Sequence, residues 1–142
     1  MAVRSPIKRF AALALLVVLL AGVAVAKGKP ESSLLIDVDD LVRIVSEGDV
    51  VILDIRDEHS YVDGHIPGAI LLPFPAVDSA ARGLQGLDAS IITYCSCPAE
   101  ESSLAAALRL RGAGIENVFV LVGGYPEWVK QQRPVIQGAN PL

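Results

Sequence analysis

Ile91-Ile92-Thr93-Tyr94-Cys95-Ser96-Cys97-Pro98-Ala99-Glu100-Glu101 is the stretch on which the fold turns. Its first four residues are a continuous run rich in β-branched side chains, which marks a strand buried on both faces, as in a parallel sheet. The run ends in a cysteine. Beyond the loop, Ser102 to Arg111 carries Leu104, Leu108 and several alanines at helical spacing and is closed by Gly112. Val50–Leu53 and Val118–Val122 are apolar runs of the same kind. Sheets buried on both faces need helices to cover them. Asp37 caps one that carries Leu41, Ile44 and Val45 on a single face, with Gly48 ending it in a left-handed conformation, and Pro126 to Gln131 reads as a short last helix. Strand and helix alternate, so the class is α/β.

The 142 residues suit one modest domain, and such a chain buries roughly two thirds of its unfolded surface without disulfide staples. The amino end has its own character. Arg4, Lys8 and Arg9 precede an uninterrupted apolar and small-residue run from Phe10 to Val25, and Ala24-Val25-Ala26 offers the small residues that a signal peptidase reads. Residues 1–26 are therefore expected to be a secretory signal. The competing reading is an uncleaved anchor, against which the run falls short of the roughly 20 apolar residues of a spanning helix. Residues 27–33 form a polar linker with Gly28 and Pro30, and residues 34–142 the domain. The expected location is the periplasm or cell envelope, with membrane contact only if the segment stays uncleaved.

Without Arg4, Lys8 and Arg9, nine basic residues face 16 acidic ones, a net charge of −7. A chain this acidic, with no basic stripe, has no electrostatic means of holding nucleic acid or an anionic membrane. Cys95 and Cys97 are too close in sequence to staple a fold, so their role is chemical. Two thiolates could hold Cu(I), but one Met and two scattered His complete no ligand set, and no metal is expected.

In open parallel sheets reactive groups gather at the carboxyl ends of the strands. Three segments meet that condition: Asp54-Ile55-Arg56-Asp57 after the first run, Cys95 after the second, and Gly123-Gly124 after the third. Together with Gly64-His65-Ile66-Pro67-Gly68-Ala69, Trp128 and Arg133-Pro134-Val135, in this order and spacing, they make the chain from about Leu34 to Val135 resemble the rhodanese-like domain family. The resemblance implies a three-layer domain, with a central, mainly parallel sheet flanked by helices. It implies that Cys95, at the start of the active-site loop, takes a sulfur atom as a persulfide and passes it to a thiol or other small acceptor, with no dissociable cofactor. Loop N–H groups and the following helix are expected to favour an anion at Cys95 and lower its pKa.

Ser96, Pro98, Ala99, Glu100, Glu101 and Ser102 complete that loop, and it departs from the family pattern Cys-x-x-Gly-x-Arg, in which the arginine holds an anionic donor such as thiosulfate. Glu100 stands at the arginine's position, and none follows near Glu101, which argues against phosphatase chemistry. A carboxylate about 7 Å from the sulfur, at an effective dielectric of about 40, costs a thiolate about 1 kcal/mol. A helix terminus contributes about 0.3–1 kcal/mol the other way. Glu100 and Glu101 either cancel the helix effect, or point to water and only turn donor choice toward less charged persulfides. Cys97 is a second departure, either a resolving thiol that releases sulfur from Cys95 or a small loop residue without chemistry. Asp54 and Arg56 are expected to pair and fix the surrounding loops, His65 to order a turn, and Gly123-Gly124 to let the backbone pass close to the cysteine loop. His59 reads as a solvated surface residue.

The reading is a sulfurtransferase acting between a small sulfur donor and a thiol acceptor. Two alternatives stay open: a non-catalytic binding module on the same fold, which would need neither cysteine, and a thiol-disulfide oxidoreductase, which would need both.

Overall fold

The computed structural model describes residues 34–140, so the expected export segment, residues 1–26, and the linker, residues 27–33, lie outside the described residues. The chain alternates strands and helices in the order β1 (Leu35–Ile36), α1 (Val38–Glu47), β2 (Val50–Asp54), α2 (Glu58–Asp63), β3 (Ala69–Leu71), α3 (Val77–Leu84), β4 (Ser90–Tyr94), α4 (Glu101–Gly112), β5 (Val118–Leu121) and α5 (Gly124–Lys130). Short 3-10 turns, Phe74–Ala76 and Pro98–Glu100, lead into α3 and α4. The five strands form one parallel sheet in the order β1-β5-β4-β2-β3. The class is α/β with helices on both faces.

Adjacent residues of each apolar run go to opposite faces, as the period of two demands. Ile52, Ile92 and Leu121 pack with Leu41 of α1, Tyr61 of α2 and Trp128 of α5. Leu53, Ile91 and Val120 pack on the other side with Val77 and Ala81 of α3 and Ala106, Ala107 and Leu110 of α4. This two-sided burial is why the runs are apolar without alternation.

Three local expectations are corrected. Gly48 ends α1 with φ −175°, extended rather than left-handed, while its N–H bonds to the Ile44 carbonyl. The side chain of Val45 is exposed; Val38 and Leu41 form the buried face of that helix. In α4 the buried face is Ser103, Ala106, Ala107 and Leu110, with Leu108 turned to solvent; the helix ends at Gly112, as expected, and a left-handed Gly114 follows. Small residues face the sheet there because the helix lies close against β4 and β5, and a leucine stripe would hold it away. The segments α2, β3 and α3, too short or too polar to show a clear period, are elements the sequence reading did not assign.

Candidate active site

The register of the sheet builds the site. Asp54 pairs with Tyr94 across β2 and β4, so these central strands finish level and Cys95 emerges beside Asp54. The carboxylate of Asp54 is fully buried and accepts from Arg56 Nε at 2.9 Å and Nη2 at 2.5 Å and from the Tyr94 hydroxyl at 2.5 Å. Arg56 Nη2 also donates to the Gly64 carbonyl at 2.7 Å, and its guanidinium lies over the Tyr125 ring, 4.1 Å from the centroid. Burial opposes the Arg56 charge, but the Asp54 carboxylate outweighs it and holds the pKa above its ordinary value. Burial beside Asp54 pushes the Tyr94 phenol far up, so Tyr94 remains a hydrogen-bond donor. A buried pair of this kind specifies geometry more than it adds stability.

That pair reaches the cysteine through Tyr125, whose backbone N–H donates to the Cys95 carbonyl at 2.9 Å. The approach is tight: a Cβ on Gly124 would lie 2.1 Å from the Cys95 carbonyl oxygen. Trp128 Nε1 donates to the Pro134 carbonyl at 2.7 Å and anchors the end of α5. His65 is buried and stacked on Tyr61, with ring centroids 3.8 Å apart, and its nitrogens face the carbonyls of Tyr61 at 2.9 Å and Asn140 at 3.1 Å. It ties the turn to the carboxyl-terminal strap and stands apart from the sulfur. His59 is exposed on α2 beside Asp63.

Cys95 is buried, with 2% of its surface exposed, whereas Cys97 is half-buried, and both thiols are free. Their sulfurs are 2.6 Å apart. The Cys97 N–H and the Ser103 hydroxyl each approach Cys95 Sγ at 3.4 Å. Ser103, rather than its neighbour Ser102, is the serine that reaches this sulfur, and the sequence reading missed it. The available signal was its place three, four and seven residues before Ala106, Ala107 and Leu110, on the buried face of α4.

The expected low pKa of Cys95 is corrected. Burial pushes this thiol up, and its hydrogen bond to Cys97 acts the same way, outweighing the Ser103 hydroxyl and the Cys97 N–H. Burial also opposes ionisation of Cys97, but there the hydrogen bonds from Cys95 and Ser102 prevail and the pKa falls. The two thiols share a hydrogen bond and titrate as a pair.

Glu100 does not point to water as one of the two readings had it. Its Oε1 accepts from the Gly123 N–H at 2.6 Å, tying the cysteine loop to the amino end of α5, while Glu101 is exposed. To make this turn Ala99 and Glu100 adopt left-handed backbone at φ 57° and 55°. Such conformations cost about 1–3 kcal/mol each and gather at functional loops. The loop and α5 enclose a cleft of about 380 Å³ lined by Ser96, Cys97, Pro98, Glu100, Glu127 and Lys130, among others. Among the described residues no group of three or more His, Cys, Asp or Glu side chains is placed to hold a metal ion.

The sequence matches the rhodanese-like domain family over residues 37–131, most of the chain and every element from α1 to α5. The chain belongs to the rhodanese-like domain family. It is 36% identical over 90 residues to the thiosulfate sulfurtransferase GlpE of Pseudomonas entomophila, covering 63% of this chain and 79% of that protein. It is also 36% identical over 124 residues to an HTH-type transcriptional regulator of Mycobacterium tuberculosis, covering 84% of this chain and 53% of the regulator, so it spans about half of that relative's length. Among solved structures, the rhodanese-like domain of an Anabaena protein superposes with a TM-score of 0.64 at 33% identity, covering 73% of this chain and 79% of that one. The parallel sheet flanked by helices is thus the family's architecture.

Proposed function

We propose that this chain is a rhodanese-type sulfurtransferase in which Cys95 takes sulfur from a small donor as a persulfide and yields it to a thiol. The observation that carries the reading is the placing of Cys95 between β4 and α4, with the Cys97 N–H and the Ser103 hydroxyl directed at its sulfur. Donors aimed at a sulfur stabilise the negative charge that it bears as attacking thiolate and as persulfide. The identity to proteins named thiosulfate sulfurtransferases supports the reaction class. With Glu100 in the loop and no cation among Ser96 to Ser102, the favoured donor is a persulfide of low charge rather than thiosulfate. The chain acts after export, in the periplasm or cell envelope, as the basic and apolar run of residues 1–26 indicates.

The test is sulfur turnover by the reduced full chain, wild type beside Cys95→Ala. One arm contains thiosulfate and cyanide, the other glutathione persulfide and excess thiol. Turnover that depends on Cys95, faster in the persulfide arm, is expected. Equal rates for wild type and Cys95→Ala in both arms would overturn the reading and leave a binding module.

A further inference from the structure

Resting on that reading, we infer that Cys97 resolves the Cys95 persulfide within the chain, so that the immediate product is hydrogen sulfide and a Cys95–Cys97 disulfide. Three observations point to this. The sulfurs stand 2.6 Å apart, so Cys97 meets the inner sulfur of a Cys95 persulfide before any external thiol does. Cys95 is buried and absent from the lining of the 380 Å³ cleft, whereas Cys97 lines it, and an acceptor arriving from solvent reaches Cys97 first. The loop holds Cys97 in this position by the Glu100 bond to Gly123 and by two consecutive left-handed residues, a costly backbone for a cysteine with no task. A nucleophile held at this range gains an effective concentration of up to about 10⁵ M or more over a free thiol. The lowered pKa of Cys97 supplies thiolate for the attack.

The steps balance. Cys95 passes its proton to the Cys97 thiolate it contacts and attacks the outer sulfur of a persulfide R–S–SH; the S–S bond of the donor breaks, Cys95–S–SH forms, and R–S⁻ leaves and takes the proton back from Cys97 as R–SH. Cys97 thiolate then attacks Cys95 Sγ, the Sγ–Sγ bond forms, the bond to the outer sulfur breaks, and that sulfur leaves with its proton as HS⁻. The outer sulfur is reduced to sulfide and the two cysteine sulfurs are oxidised to the disulfide. Each further turnover consumes a small dithiol or two monothiols, which reduce the bridge by exchange. The chain would thus stand between a reaction that generates persulfides and a thiol reductant that regenerates the dithiol.

The experiment is a single turnover of the reduced full chain with one equivalent of glutathione persulfide and no further thiol, followed by sulfide release and intact mass. Wild type is expected to release close to one equivalent of sulfide and to lose the mass of two hydrogens without gaining sulfur. Cys97→Ser and Cys97→Ala are expected to retain one added sulfur on Cys95 and to release sulfide about tenfold more slowly or less. Wild type that keeps the added sulfur and releases sulfide no faster than either Cys97 variant overturns the inference while leaving Cys95 a sulfur acceptor. If neither Cys97 variant takes up sulfur, the sulfurtransferase reading itself fails and the inference falls with it.

Discussion

Replacing Gly124 by alanine tests the idea that the start of α5 sets the position of Cys95. Two costs act at once. Gly124 has φ +50°, where an L side chain costs about 1–2 kcal/mol. Its new Cβ would also lie 2.1 Å from the Cys95 carbonyl oxygen and 3.1 Å from the carbonyl carbon, both backbone atoms that cannot rotate away. Reaching even the 3.0 Å that real contacts require means a retreat of 0.9 Å, which stretches the 2.9 Å bond from the Tyr125 N–H. Overpacking of this kind costs about 1–3 kcal/mol and the weakened bond about 0.5–1.5 kcal/mol. Gly114 separates the terms, because it has φ +89° and nothing within 4 Å of its Cβ position. In urea titrations Gly124→Ala should therefore be about 2–4 kcal/mol less stable than Gly114→Ala. Where both remain folded, sulfur uptake at Cys95 should slow by about 10²-fold in Gly124→Ala alone, since a displacement near 1 Å misaligns the nucleophile. Stabilities within about 0.5 kcal/mol of each other, with equal uptake, would refute the claim that this contact places the cysteine.

Asp54→Ala leaves the Arg56 guanidinium without its carboxylate and the Tyr94 hydroxyl without its acceptor; a loss of about 3–5 kcal/mol in urea unfolding is expected, and a loss under about 1 kcal/mol would count against the pair as the anchor of the site. Cys97 should be alkylated at lower pH than Cys95, because its pKa is lowered and that of Cys95 raised; peptide mapping after brief iodoacetamide treatment at neutral pH gives the order, and Cys95 labelled first would reverse the assignment. Ser103→Ala in a Cys97→Ser background removes a donor that favours the Cys95 thiolate, so the pH profile of Cys95 alkylation should move to higher pH, with a stability change of about 0.5–1.5 kcal/mol. Glu100→Gln keeps an acceptor for the Gly123 N–H while removing the charge; use of thiosulfate relative to glutathione persulfide should rise several-fold, and an unchanged ratio would show that the Glu100 charge does not govern donor choice.

Local pattern along the chain accounts for the strands and for the place of the cysteine. Val50–Leu53, Ile91–Tyr94 and Val118–Leu121 read as strands buried on both faces, because continuous β-branched apolar runs have no polar side to offer water, and helices cover them; Val122, included in the third run, lies past the strand end and is exposed. Given a parallel sheet, a cysteine directly after the central run stands at the edge where reactive groups gather, so Cys95 was legible, as were Asp54, Arg56 and the close passage at Gly124. Elements with little apolar content or few residues, such as α2 and β3, carry too short a period to be read; β3 pairs along β2, and α2 starts at Asp57, whose carboxylate accepts from the Ser60 N–H.

Tertiary structure decided the chemistry of the loop. The opposite pKa shifts of the two cysteines follow from the deeper burial of Cys95 and from the hydrogen bonds that Cys97 receives from Cys95 and Ser102, neighbours that the folded loop brings to its sulfur. The partner of Glu100 is the Gly123 N–H, brought in from beyond β5, and no helical or strand period relates the two positions. Ser103 reaches Cys95 only because α4 turns its small-residue face to β4. Side-chain periodicity fixes which face of an element is buried, but hydrogen bonds and pKa values depend on neighbours that only the assembled fold brings together.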